Sequence, residues 1–408
     1  AFISEVRTGL MRLAAGEGPA LRGRPVALLC HPASVTAELV HAREVLSGAC
    51  GARLVSLLGP EHGLDAAAQD MEVVAEQAGA SGHVPTYSLY GDSFASLSPT
   101  EAMLHDAEWL VIDLQDIGAR YYTYVWTAVL AAEVALQCGR KVLLLDRPNP
   151  LGGLAEWVEG GAIAAGQESF VGLHDVAVRH GMTLAELARM AIVERGRAPE
   201  RGLQILECAG WRRSMLLPDT GLPWVLPSPN MPTFETAQVY PGQCLLEGTN
   251  LSEGRGTTRP FELNGAPWVR DEHFAEALNA RRVPGVHFRP TIFEPTFHKH
   301  AKTTCGGVQI HVTDRRTFPA VMAGVITSTR SFRSGAFGAR LSPLMVWSLA
   351  AAAASARRSY PAACVRSPVD RIPDAPAPGP APPGDGRSPR SRGWRCRCRS
   401  RSHRCGWP

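Results

Sequence analysis

The sequence has no uninterrupted apolar run near the roughly 18–20 residues that span a bilayer. Its first residues, AFISEVRTGL, lack the basic stretch and apolar core of a secretory leader. Ala1 stands where an initiator Met is expected, so a leader removed ahead of it stays open. The compartment, cytoplasmic or exported, is therefore left unassigned. No G-x-G-x-x-G follows the first strand-like run, which argues against a dinucleotide. A Walker-type lysine loop and a G-x-S-x-G elbow are missing too, which sets aside P-loop phosphoryl transfer and α/β-hydrolase acyl chemistry. His31, His62, His174 and His180 lack spacings such as H-E-x-x-H, so neither a metal nor a cofactor is called for. The charge surplus is small, 42 Lys and Arg against 38 Asp and Glu, and much of it sits near the C-terminus. A nucleic-acid partner gains nothing from it. Oligomeric state is not legible.

What is present is the composition of a globular chain, 45% hydrophobic and 20% charged over 408 residues, enough for two domains. Among ten cysteines, Cys30, Cys50, Cys138, Cys208, Cys244 and Cys305 are scattered singly, mostly in or beside apolar runs. They read as small buried hydrophobes rather than disulfide partners. Cys364, Cys396, Cys398 and Cys405 fall in a tail where CRCRSRSHRC imitates a Cys/His metal tract but fits no zinc spacing.

The first half alternates strand-like and helix-like runs. RPVALLC (24–30), ARLVSLL (52–58), VPTYSLY (84–90), WLVIDL (109–114), KVLLLDR (141–147) and LQILEC (203–208) read as strands. TAELVHAREVLSGA (36–49), TEAMLHDA (100–107), TYVWTAVLAAEVALQC (123–138) and MTLAELARMAIVERG (182–196) read as helices. This alternation predicts βαβ units, hence an α/β fold with a mostly parallel, Rossmann-like sheet covered by helices on both faces. From about 211 to 260, Gly, Pro, Asn and Thr predict ordered loops framing one short strand, CLLEG. A helix over DEHFAEALNA (271–280), a strand over CGGVQIHVTD (305–314) and a helix through FPAVMAGVITSTR complete a smaller α+β auxiliary domain. The expected boundaries are 1–235 and 236–330. Residues 331–408 are Arg-, Pro- and Ser-rich without periodicity and cannot bury enough apolar surface to offset chain entropy. This tail reads as out-of-frame translation of a GC-rich gene, in preference to a natural disordered tail.

Chemistry concentrates where the apolar runs stop. LVSLLGPEHG (54–63) delivers Glu61 and His62; WLVIDL delivers Asp113, Gln115 and Asp116, then Arg120, Tyr121 and Tyr122; KVLLLDR delivers Asp146, Arg147 and Asn149. In a parallel sheet these ends share one edge, where open α/β sheets build their sites. Carboxylates, arginines, asparagines and aromatics suit hydrolysis of a polar, hydroxyl-rich, anionic molecule.

GPEHG (59–63), DLQDIGARYYTY (113–124), LDRPNPLGG (145–153), VEGG (158–161), FVGL (170–173), RHGMT (179–183), LPSPNMPT (226–233) and YPGQCLLEGTNLSEGRGTTRPFE (240–262) occur in this order. Together, from about Thr8 to Asp314, they resemble the YbbC-like family, whose characterised members are NamZ-type exo-β-N-acetylmuramidases. The resemblance implies a Rossmann-like domain, a smaller domain and a cleft between them. It implies an enzyme of cell-wall recycling that releases N-acetylmuramic acid from the non-reducing end of peptidoglycan fragments. On it Glu61 becomes the candidate general acid, its apolar neighbours and Pro60 suiting a raised pKa. Asp116 leads as its partner, followed by Glu253, and His62 positions Glu61. Arg120, Arg255 and Arg259 are candidates for the lactyl carboxylate, with Tyr121, Asn149, Asn230 and His174 on the remaining sugar groups. Two departures stand out: Cys30-His31-Pro32-Ala33 where the family carries a Thr-Asn-Pro-Thr type turn, and LDAAAQDMEVV where a basic, glycine-containing turn is expected. The competing reading is a catalytically silent cell-wall sugar-binding protein of the same fold; an oxidoreductase is disfavoured by the missing glycine fingerprint.

Overall fold

The computed structural model describes residues 6–61, 63–64, 84–91, 93–164, 166–199 and 201–333. His62, most of the LDAAAQDMEVV turn and the tail from 334 onward lie outside the described residues.

Six strands, β1 (Pro25–Cys30), β2 (Arg53–Gly59), β3 (Thr86–Ser88), β4 (Trp109–Asp113), β5 (Lys141–Leu145) and β6 (Leu203–Leu206), form a wholly parallel sheet in the order β3-β2-β1-β4-β5-β6. The order reverses between β1 and β4, the topological switch point where open α/β sheets leave a crevice. Strand periodicity sorts the side chains onto two faces. Val26 and Leu28 of β1 pack with Leu10 and Leu13 of α1 (Gly9–Ala14) and with Val45 and Leu46 of α2 (Ala42–Ser47). Ala27 and Leu29 pack on the opposite face with α3 (Tyr124–Gln137) and α4 (Leu184–Arg195). α3 is buried almost all round, which explains its uniformly apolar sequence. α4 opens on a Thr183/Glu186 capping box and stops at Gly196, left-handed at φ 59°.

The second half begins with the short α5 (Leu217–Thr220) and α6 (Phe234–Gln243). β7 (Leu263–Ala266), β8 (Val286–Phe293) and β9 (Cys305–Val312) form an antiparallel sheet in the order β7-β9-β8. It is flanked by α7 (Asp271–Asn279) and α8 (Ala320–Arg333). α6 and α8 cross at Gly242 and Gly324, where a Cβ on either would collide with the other helix's backbone.

Several local expectations change. Residues 234–243, expected as loop because of YPGQ, are helical despite Pro241, and CLLEG is a 3₁₀ segment (Cys244–Gly248) instead of a strand. Burial of Ala237, Val239 and Tyr240 outweighs the proline's missing donor. The expected helix at 36–49 is only Ala42–Ser47, capped by His41, and that at 100–107 shrinks to a 3₁₀ turn, Ala102–Leu104. β7 and β8 were not anticipated. α8 runs to Arg333, past the end of the FPAVMAGVITSTR run. The six cysteines of the described region are free thiols, Cys30 and Cys305 buried and the other four partly so. No described helix is long and apolar enough to cross a membrane.

Candidate active site

A cavity of about 170 Å³ is lined by residues from both halves of the chain. Glu61 reaches it from the end of β2. The turn that carries it is closed by the Gly63 amide donating to the Pro60 carbonyl at 2.9 Å, with Gly63 left-handed at φ 79°. Its carboxylate is nearly buried, and Oε2 accepts from the Thr123 hydroxyl at 2.6 Å. Thr123 precedes α3 but makes no capping bond with its side chain, so the hydroxyl serves Glu61 instead of the helix.

Aromatic rings connect Glu61's side of the cavity to a cation. Tyr124 and Tyr122 lie 4.7 Å apart, Tyr122 and Tyr240 6.0 Å, Tyr240 and Phe261 4.7 Å, the last two pairs edge to face. The Arg255 guanidinium then sits 4.9 Å over the Phe261 ring. Burial pushes the phenols of Tyr121, Tyr122, Tyr124 and Tyr240 well above their ordinary range, so they remain hydrogen-bond donors. Tyr90 and Phe170 form a second aromatic pair at 6.4 Å, beside the half-exposed Val171. Asn230 comes from the loop after Ser228. That loop is held at its Pro227 carbonyl by the Tyr124 hydroxyl at 2.6 Å and His31 Nδ1 at 3.2 Å.

Of the residues singled out from sequence, Glu61, Tyr121, Tyr122, Asn230 and Arg255 meet in this cavity. The other described candidates from the predicted site bond to the framework around it. Asp116 Oδ2 accepts from the Gly118 amide at 2.7 Å and lies 3.6 Å from His180 Nε2, holding its own loop closed. Glu253 is buried beside two cations, Lys299 Nζ at 2.9 Å and Arg255 Nη1 at 3.2 Å, and the His298 ring at Nδ1, 3.3 Å away. Burial alone would raise its pKa, but these three partners carry it down to about 2. Arg120 donates to the carbonyls of Gly161 and Val176, at 2.8 and 2.6 Å, beneath the Tyr121 ring. Asn149 accepts from the Leu151 amide and donates to the Met182 carbonyl. His174 pairs with Glu194 of α4 at 2.7 Å, and Arg259, half exposed, pairs with Glu262 at 3.2 Å. Asp113 and Arg147 form a buried two-point ion pair at 2.6 and 2.8 Å that knits β4 to the end of β5. Polar residues at strand ends thus divide between the cavity and the loops that shape it.

Thr123, Glu247, Tyr240 and Phe261 line the cavity without having been singled out. Glu247 stands in the EGTNLSEGRG motif, six residues before Glu253, and that motif is the signal in the sequence that points to it.

A parallel α/β sheet and a second small domain frame a cavity holding a carboxyl group, phenols and a guanidinium, groups that suit a polar, hydroxyl-rich ligand. The chain belongs to the exo-β-N-acetylmuramidase NamZ family, matching its N-terminal model over residues 26–235 and its C-terminal model over 238–336. It is 42% identical over 321 residues to the peptidoglycan β-N-acetylmuramidase NamZ of Bacillus subtilis (strain 168), covering 79% of this chain and 76% of that one. Crystal structures of two DUF1343 family proteins from Bacteroides fragilis share the fold. One has a TM-score of 0.74 and 32% identity, covering 85% of this chain and 89% of its own. The other has a TM-score of 0.64 and 25% identity, covering 87% and 90%.

Proposed function

We propose that this chain is an exo-β-N-acetylmuramidase that removes N-acetylmuramic acid from the non-reducing end of peptidoglycan fragments, with residues 1–235 and 236–330 as its two domains. The observation that carries this reading is the meeting of Glu61, Asn230 and Arg255 in one aromatic-walled cavity, in a chain of this family. Glu61 is the general acid, presented by the Thr123 hydroxyl to the glycosidic oxygen. Tyrosine rings and Asn230 receive the sugar's face and its polar substituents. Arg255, the one of the three candidate arginines that lines the cavity, supplies the positive charge for the lactyl carboxylate.

The test is release of a chromogenic aglycone from a β-N-acetylmuramide, with Glu61→Gln as control. Turnover by the wild type and a loss of roughly a hundredfold or more in Glu61→Gln are expected. A folded wild type that releases no aglycone overturns the enzymatic reading, and full activity in Glu61→Gln overturns the assignment of the acid.

A further inference from the structure

We propose that Glu247 is the second carboxylate of the reaction, the anionic partner of Glu61. The proposal rests on the glycosidase reading above. Glu247 lines the cavity, while Asp116 and Glu253 do not. About a third of its side chain is exposed, 33% against 1% for Glu253, so a sugar can touch the first and not the second.

The two cavity carboxylates keep different company. Glu61 accepts from a neutral hydroxyl, and no ion pair reaches it among the described residues. Glu247 Oε1 accepts from Arg255 Nη1 at 2.7 Å. Behind that contact, the same Arg255 nitrogen and Lys299 share Glu253, at 3.2 and 2.9 Å. Two cations against one buried carboxylate leave a net positive charge facing Glu247, the setting an anionic partner requires. Lys299 also fixes the backbone around it, donating to the carbonyls of Leu246 and Glu247 at 3.0 Å each and of Leu251 at 3.2 Å. Glu253, first read as a catalytic candidate, thereby becomes a positioning residue. Two carboxyl groups in contrasting environments are how one site keeps an acid and an anion together.

In the reaction, Glu61 gives its proton to the glycosidic oxygen as the C1–O bond breaks, the electron pair leaving with that oxygen. Glu247 offsets the positive charge left on C1 and the ring oxygen. Water then bonds to C1 through its oxygen, and the proton it loses restores Glu61. The products are the free sugar and the neutral aglycone alcohol, which keeps the proton that Glu61 gave.

Glu247→Gln, Glu247→Asp and Glu247→Ala are assayed with β-N-acetylmuramides whose aglycones differ in acidity, with circular dichroism to verify folding. Glu247→Gln is expected to lower kcat by roughly a hundredfold or more for every aglycone. Glu247→Asp, which keeps the charge, is expected to retain more activity than Glu247→Gln. Added azide is expected to restore turnover in Glu247→Ala and to appear bonded to C1. A folded Glu247→Gln with near wild-type kcat, or a folded Glu247→Ala that yields no glycosyl azide, overturns the proposal. An inactive wild type instead removes the glycosidase reading on which it stands.

Discussion

The Thr123 hydroxyl donates to Glu61 Oε2 across 2.6 Å, joining the start of α3 to the end of β2 inside the cavity. The bond gives the nearly buried Glu61 a fixed orientation. Thr123→Val conserves shape and removes the donor. We expect kcat to fall about tenfold with KM little changed, since a hydrogen bond of this kind contributes about 1–2 kcal/mol. Steady-state kinetics on a chromogenic muramide check this; an unchanged kcat refutes the positioning role.

The sheet was legible because buried parallel strands are short, apolar and separated by helices, and all six runs from RPVALLC to LQILEC contain strands. The second half was less so. α6 carries Pro241 and Gly242, which speak for loop, and tertiary burial against α8 overrides them. Within the site, GPEHG stood out because a carboxylate and an imidazole end an apolar run. Arg120 and Asn149 looked equally chemical but satisfy buried backbone groups, and sequence does not distinguish those two uses of a polar side chain.

Acid should weaken the fold through two groups. Burial carries His31 from 6.5 to about 3, and cationic partners carry Glu253 from 4.5 to about 2. The unfolded chain therefore binds the extra proton first in both cases, so stability falls as pH drops below 6.5 for His31 and below 4.5 for Glu253. Asp146 acts oppositely: burial raises it from 3.8 to about 6, so its contribution falls as pH rises through that window. Urea unfolding from pH 3 to 7 is expected to show a flatter acid limb in Glu253→Gln and a steeper rise between pH 4 and 6 in Asp146→Asn. Parallel curves for wild type and both variants contradict this.

At the α6–α8 crossing, a methyl group at Gly324 would meet the backbone at Gly242. Gly324→Ala is expected to cost about 2–4 kcal/mol. A thermal-unfolding midpoint unchanged from wild type would show that the helices separate freely.

His31 donates Nδ1–H to Pro227 at 3.2 Å and accepts the Gln115 amide at Nε2 at 2.9 Å, which fixes a neutral ring in one tautomer. His31→Ala frees the loop bearing Asn230, so KM should rise by about tenfold while kcat changes less. Loss confined to kcat, with KM intact, contradicts this account of the loop.

The central claim, removal of muramic acid from the non-reducing end, is tested most directly with two disaccharides of reversed order. One carries N-acetylmuramic acid β-linked at the non-reducing end of N-acetylglucosamine; the other carries N-acetylglucosamine at the non-reducing end of N-acetylmuramic acid. Mass spectrometry of the products is expected to show cleavage of the first, with free N-acetylmuramic acid, and no cleavage of the second. Cleavage of the second alone, or of neither, contradicts the claim.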